Sequence, residues 1–153
     1  MECKMKQPMG MSGRVTLTLR DAKGQVKKEE VCNTIVTAGK TFLAAWLAAA
    51  TQATPFMNYV ALGTGTTSPT VSDTTLQTAL GTRKAGTITS STNVWQNQVT
   101  FGPAEPAAGT NNITEAGLFS AITSGTMLAR VVFTAIGKEA GDSLTITWQV
   151  TLS

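Results

Sequence analysis

A chain of 153 residues fits one domain, and a domain of this size buries roughly 68–70% of its unfolded surface, enough for a core without staples. Two cysteines, Cys3 and Cys32, with no CxxC spacing argue against a zinc site or a disulfide framework, and the absence of histidine removes Ser-His-Asp and Cys-His nucleophile systems. The formal charge of +3 is unevenly placed: residues 1–40 hold eight Lys or Arg and four acidic residues, and the rest of the chain holds four and five.

The opening MECKMKQPMGMSGR has no apolar leader or cleavage pattern, so the expectation is a chain made in a reduced cytoplasm. RVTLTLRDAKGQVKKEEV then reads as a hairpin over about 14–34. Val15, Leu17 and Leu19 face inward and Asp21 to Gly24 supply the turn. Its lysines and arginines alternate with Asp21, Glu29 and Glu30, and no aromatic interleaves them. A solvated hairpin surface is therefore expected and a nucleic-acid contact is not. Arg14, Arg20, Lys27 and Lys28 are the residues such a hairpin offers as a docking arm.

After Thr37, read as an N-cap, AGKTFLAAWLAAA places Phe42, Leu43, Trp46 and Leu47 on one stripe, an amphipathic helix over about 38–50. The apolar run FLAAWLAAA falls short of the about 20 residues that span a bilayer. A strand over Met57 to Leu62 leads into ALGTGTTSP, where Gly63 and Gly65 flank Thr64. A short second helix is expected from Ser72 or Asp73 through Leu76 and Leu80 to Gly81. Further strands are expected over Thr82 to Thr89, Val94 to Phe101, Thr114 to Ser120 and Met127 to Thr134. The closing SLTITWQVTLS alternates without a break, with Leu144, Ile146, Trp148, Val150 and Leu152 on one face. Threonine, 27 of 153 residues, suits such half-buried pleated surfaces. The pattern is mainly β: one domain over residues 1–153, an antiparallel β-sandwich or jelly-roll-like barrel of about seven or eight strands with one principal helix.

Two stretches invite a phosphate-binding reading. Gly39-Lys40-Thr41 stands between a strand and a helix, as in an ATPase loop. That motif needs a further glycine where this chain has Thr34, and an apolar strand ending in a magnesium-binding Asp, which is missing. Gly63 and Gly65 are explained as residues that let the backbone turn sharply after a core strand. Of the later carboxylates, Asp73, Glu105, Glu115, Glu139 and Asp142, no two are brought together by the sequence as a hydrolytic pair. No catalytic residue, cofactor or metal ligand is assigned. Trp95, Trp148 and Tyr59 could form a sugar-stacking platform. Trp148 shares the core-facing phase of its strand, which leaves Trp95 as the candidate contact for a host-surface glycan.

The order NTIVTAGKTFLAAWL, MNYVALGTGTTSPTVSDTTLQTAL, ITEAGLFSAITSGTMLARVVF and DSLTITWQVTLS resembles a family of small structural proteins of tailed-bacteriophage virions, described as tail-fibre-like or accessory particle proteins. The resemblance runs from about Arg14 to Ser153 and is most specific in the ALGTGTTSP and EAGLF…GTMLARVVF blocks. It implies a non-enzymatic rigid β module in the virion, associating with copies of itself, most commonly as a trimer, and docking on a capsid, neck or tail protein. Gly63, Thr64, Gly65 and Trp95 are then candidate interface or loop residues. The chain stops after its last expected strand, without a stalk or distal tip, so a fibre base, an adaptor or a decoration protein is expected. A carbohydrate-binding β-sandwich is the alternative.

Overall fold

The computed structural model describes residues 10–48, 57–107, 109 and 111–152. Among them the elements run β1 (Met11–Arg20), β2 (Val26–Ile35), α1 (Thr37–Ala48), β3 (Tyr59–Gly63), β4 (Ala79–Ala85), β5 (Thr87–Ser91), β6 (Val94–Phe101), β7 (Asn111–Phe119), β8 (Met127–Lys138) and β9 (Ser143–Leu152). In β9, Leu144, Ile146, Trp148 and Val150 are buried and the Thr and Gln residues between them are half-buried, whereas Leu152, expected on the buried face, is exposed at the end of the strand. That period of two marks a strand covered on one face. On β1, Val15 lies opposite Trp148 and Leu17 opposite Ile146, so the two strands present one apolar surface to the same core.

Strand order is β4-β3-β7-β8-β2-β1-β9-β6-β5, with every pairing antiparallel. Gly86 alone joins β4 to β5, so the two ends of this order meet in sequence and the sheet nearly closes into a barrel. The mainly β antiparallel architecture is the one expected, with nine strands in place of seven or eight. The additional strand arises where a single strand was expected over Thr82 to Thr89. The chain turns a corner at Gly86, whose N–H donates to Asn58 O at 3.0 Å. A Cβ there would stand 1.7 Å from Asn97 Oδ1, so only glycine fits against this fully buried amide. The Asn97 Nδ2 in turn donates to the Met57 and Asn58 carbonyls at 3.2 and 3.0 Å.

β2 closes the barrel elsewhere. It pairs with β1 from Val26 to Asn33 and with β8 only through Thr34 and Ile35, so one strand serves both halves. The Val26–Asn33 stretch has no strand on its far edge among the described residues. Charged side chains on such an edge discourage unwanted strand pairing, and Lys27, Lys28, Glu29 and Glu30 stand there.

Strands β3, β7 and β8 are covered on both faces. Val60, Leu62, Leu118, Val131 and Phe133 belong to the main core inside the barrel. Val36, Ala61, Leu76, Phe119 and Met127 form a second cluster, joined by Ala38 and Tyr59. Double coverage explains why EAGLF and MLARVVF read as continuous apolar runs where β9 alternates.

α1 contacts the sheet through Gly39, which lies against Leu128, and through Phe42, which packs on the main core. Lys40 N–H donates to the Val36 carbonyl at 3.2 Å, so Val36 holds the N-cap position and Thr37 is already helical, one residue earlier than expected. Residues 49 and 50 of the expected helix, and the side chain of Leu47, lie outside the described residues. The second helix expected from Ser72 or Asp73 to Gly81 does not form. Asp73 carboxylate oxygens accept from Thr70 N and Thr70 Oγ1, a local turn. The N–H groups of Gln77 and Thr78, which a helix would send four residues back, go instead to the Glu115 carboxylate.

Candidate functional site

The ALGTGTTSP segment wraps around a carboxylate supplied by the same chain. Glu115 on β7 is fully buried, and its Oε1 accepts from Gly65 N at 3.0 Å and Thr78 N at 2.7 Å. Oε2 accepts from Gln77 N at 3.1 Å and Arg130 Nε at 2.9 Å. Arg130, on β8 and 3% exposed, sends its Nη1 to Asp73 Oδ2 at 2.9 Å. Its Nη2 lies 2.8 Å from Glu115 Oε2, close enough for the charges to pair, but its N–H directions miss the oxygen and make no hydrogen bond. A buried charge is costly unless paired and hydrogen-bonded, and here the guanidinium sits between two carboxylates.

This arrangement accounts for both glycines. A Cβ on Gly63 would stand 2.4 Å from Thr78 O and 2.6 Å from Glu115 Oε1; one on Gly65 would stand 2.5 Å from the same carboxylate oxygen. Thr64 between them donates its N–H to Thr78 O at 2.9 Å. Gln77 Oε1 accepts from Thr66 N and Thr67 N, both at 3.1 Å, and Thr114 Oγ1 donates to Gly65 O. The loop uses backbone N–H groups as a phosphate-binding loop does, but the anion is Glu115.

Electrostatics keep both acids ionised. Burial, the largest influence on Glu115, pushes its carboxyl up. The N–H groups of Thr78 and Gln77 and the Arg130 guanidinium outweigh it and hold the group below its ordinary value. Asp73 follows the same balance: burial raises it, while Thr70 and Arg130 bring it below the ordinary range. Two ionised carboxylates clamped on one guanidinium have no proton to give, so the cluster lacks the general acid that a glycosidase pair requires.

The remaining acids lie apart from it. Glu105 is held below the usual carboxylate range first by Lys84 Nζ, with which it pairs, and by Gly102 N–H. Lys138, 1% exposed, donates to Gly102 O at 2.9 Å, and burial lowers its ammonium pKa against the opposing fields of Asp142 and Glu105. Asp142 Oδ2 accepts from Glu139 N in the turn before β9. Among the described residues no three His, Cys, Asp or Glu side chains gather where they could hold a metal ion. Also among them, no helix is long and apolar enough to cross a membrane.

The other sequence candidates fall in separate places. Gly39 is a packing residue: a Cβ would lie 2.4 Å from the Leu128 Cα, which is how closely α1 crosses β8, and Lys40 is exposed. Trp148 is fully buried, Trp95 is half-buried against the main core, and Tyr59 packs with the second cluster. The three aromatics share no platform. Arg14 and Arg20 lie on β1, between β2 and β9, while Lys27 and Lys28 lie on the open edge of β2. Glu30 reaches both Lys28 Nζ at 3.0 Å and Arg14 at 3.8 Å. The hairpin is thus built into the barrel wall, with its turn at Asp21 to Gln25.

Arg130 and Gln77 are not singled out by the sequence, and Asp73 and Glu115, which the sequence leaves apart, meet on opposite sides of Arg130. A usable signal exists for Arg130 and Glu115, each a lone charge within an apolar run of a charge-poor segment, because such residues must be partnered if the run is buried. Comparison of the chain with protein-family models, with curated proteins and with solved structures gave no match.

Proposed function

We propose that the chain is a non-enzymatic structural module of a tailed-phage virion, a β barrel that associates with copies of itself as a trimer and docks on a head, neck or tail protein. One observation carries this reading. The most specific residues of the resemblance, Gly63 and Gly65 in ALGTGTTSP, Glu115 in EAGLF and Arg130 in GTMLARVVF, meet in a single buried lock. A signature spent on holding a loop rigidly to a sheet fits a protein that works by shape. β5, β6 and β9 contain no charged residue, so self-contact through them would carry little desolvation cost. The open edge of β2, with Lys27 and Lys28, is the surface assigned to docking on the particle; made in the host cytoplasm, the chain would end in the virion. A reconstruction of purified particles tests the reading: density for this barrel at head, neck or tail is expected, and particles whose protein inventory lacks the chain would overturn it.

A further inference from the structure

The outer face of β5, β6, β9, β1 and β2 carries a groove, part of it on the same charge-free strands that are open to self-contact. Two depressions, of about 300 and about 490 Å³, adjoin at Val94 and Gln149. Strand register shows their direction. Thr89, Gln96, Gln149, Arg14 and Cys32 are successive cross-strand partners and form one transverse row. Val94, Thr151 and Ser12 form the neighbouring row. The groove follows these rows across the strands, and five strands spaced about 4.8 Å apart give it a length of roughly 19 Å.

Its chemistry is that of neutral hydrogen bonding. Gln149 Nε2 donates to Gln96 Oε1 at 3.0 Å. That bond uses one of two N–H donors on Gln149 and one of two lone pairs on Gln96, so each amide keeps capacity for a ligand. Hydroxyls of Ser12, Thr89 and Thr151 line the same path, and Val94 gives an apolar contact at the centre. Among the described residues Arg14 is the one charged lining residue, and Glu30 stands 3.8 Å from it. A nucleic acid or a polyanion would need several uncompensated cations. We infer that this groove binds an uncharged oligosaccharide laid across the strands, with ring C–H groups over Val94 and hydroxyls on Gln96 and Gln149. The site lies on the outer face of the sheet, whereas Trp95 packs against the core within.

Titration calorimetry of the full chain with cellohexaose, maltohexaose and chitohexaose, in 0.05 and 0.5 M salt, tests the inference. At least one should bind with an affinity independent of salt. Gln96→Ala/Gln149→Ala should weaken it about tenfold, the scale of two lost neutral hydrogen bonds. Arg14→Gln should change it less than about twofold. All three residues reach the surface and a circular dichroism melt checks that the variants fold. Absence of binding by all three probes at millimolar concentration overturns the inference. So does binding that disappears with Arg14→Gln or in high salt, which would indicate an anionic ligand. A change in oligomeric state on Gln96→Ala/Gln149→Ala would mean that a second copy occupies the groove, and would overturn it while leaving the structural reading intact.

Discussion

Glu115→Gln probes the lock at its centre. Glutamine keeps the volume of the side chain and one acceptor oxygen but turns the other into a donor nitrogen. Oε1 now serves Gly65 and Thr78, and Oε2 serves Gln77 and Arg130. Whichever way the amide is turned, two N–H donors face a donor, and Arg130 is left with Asp73 as its only carboxylate. Hydrogen bonds to charged groups contribute roughly 1.5–3 kcal/mol each. Removing one partner of a buried ion pair costs roughly 3–5 kcal/mol. The two ranges describe the same loss, so we expect a destabilisation of about 3–5 kcal/mol. At about 2–4 °C per kcal/mol for a domain of this size, Tm should fall by about 10 °C. Urea unfolding at pH 7 measures it, with an unchanged m value showing that the denatured state is unaltered. Adding Arg130→Met should restore part of the loss, because the stranded cation is removed. A Glu115→Gln protein within about 0.5 kcal/mol of the parent would refute the view that this cluster holds the loop to the sheet.

Acid should act on the same lock. Glu115 and Asp73 both have folded pKa values below their ordinary 4.5 and 3.8, so the stability they contribute is complete above those values and is lost as pH falls through the folded ones. Chemical denaturation should therefore show the parent weakening from about pH 4.5 downward, with a shallower decline in Glu115→Gln. Gly65→Ala should destabilise by about 1–3 kcal/mol in the same assay, since its methyl meets the carboxylate it surrounds. Gly39→Ala should do likewise against Leu128, whereas Lys40→Ala should leave stability within about 0.5 kcal/mol and alter no ATP binding in a filter assay. Trp95→Ala should lower Tm in a thermal melt while leaving glycan titrations unchanged, because its ring packs on the core.

Much of the barrel was legible because its strands are covered on one face. β6 begins and ends where the alternation over Val94 to Phe101 places it, and β9 puts Trp148 inside as its phase requires. Legibility fell where two layers cover a sheet. There the loop over residues 64–78 takes its shape from Glu115 and Arg130, which are distant in sequence, and local propensity alone favoured a helix. The split between β4 and β5 depends on Asn97 filling the space beside Gly86, a contact across the fold that no local pattern reports. The glycines of ALGTGTTSP are not the sharp turn expected there: Gly63 ends β3, neither glycine has a positive φ, and the carboxylate they make room for lies 50 residues away from Gly65.

Self-association is the most direct consequence of the structural role. Light scattering coupled to size exclusion, run across a wide range of protein concentration, should give a particle of three times the 16.0 kDa chain mass. A mass equal to one chain at every concentration would contradict it.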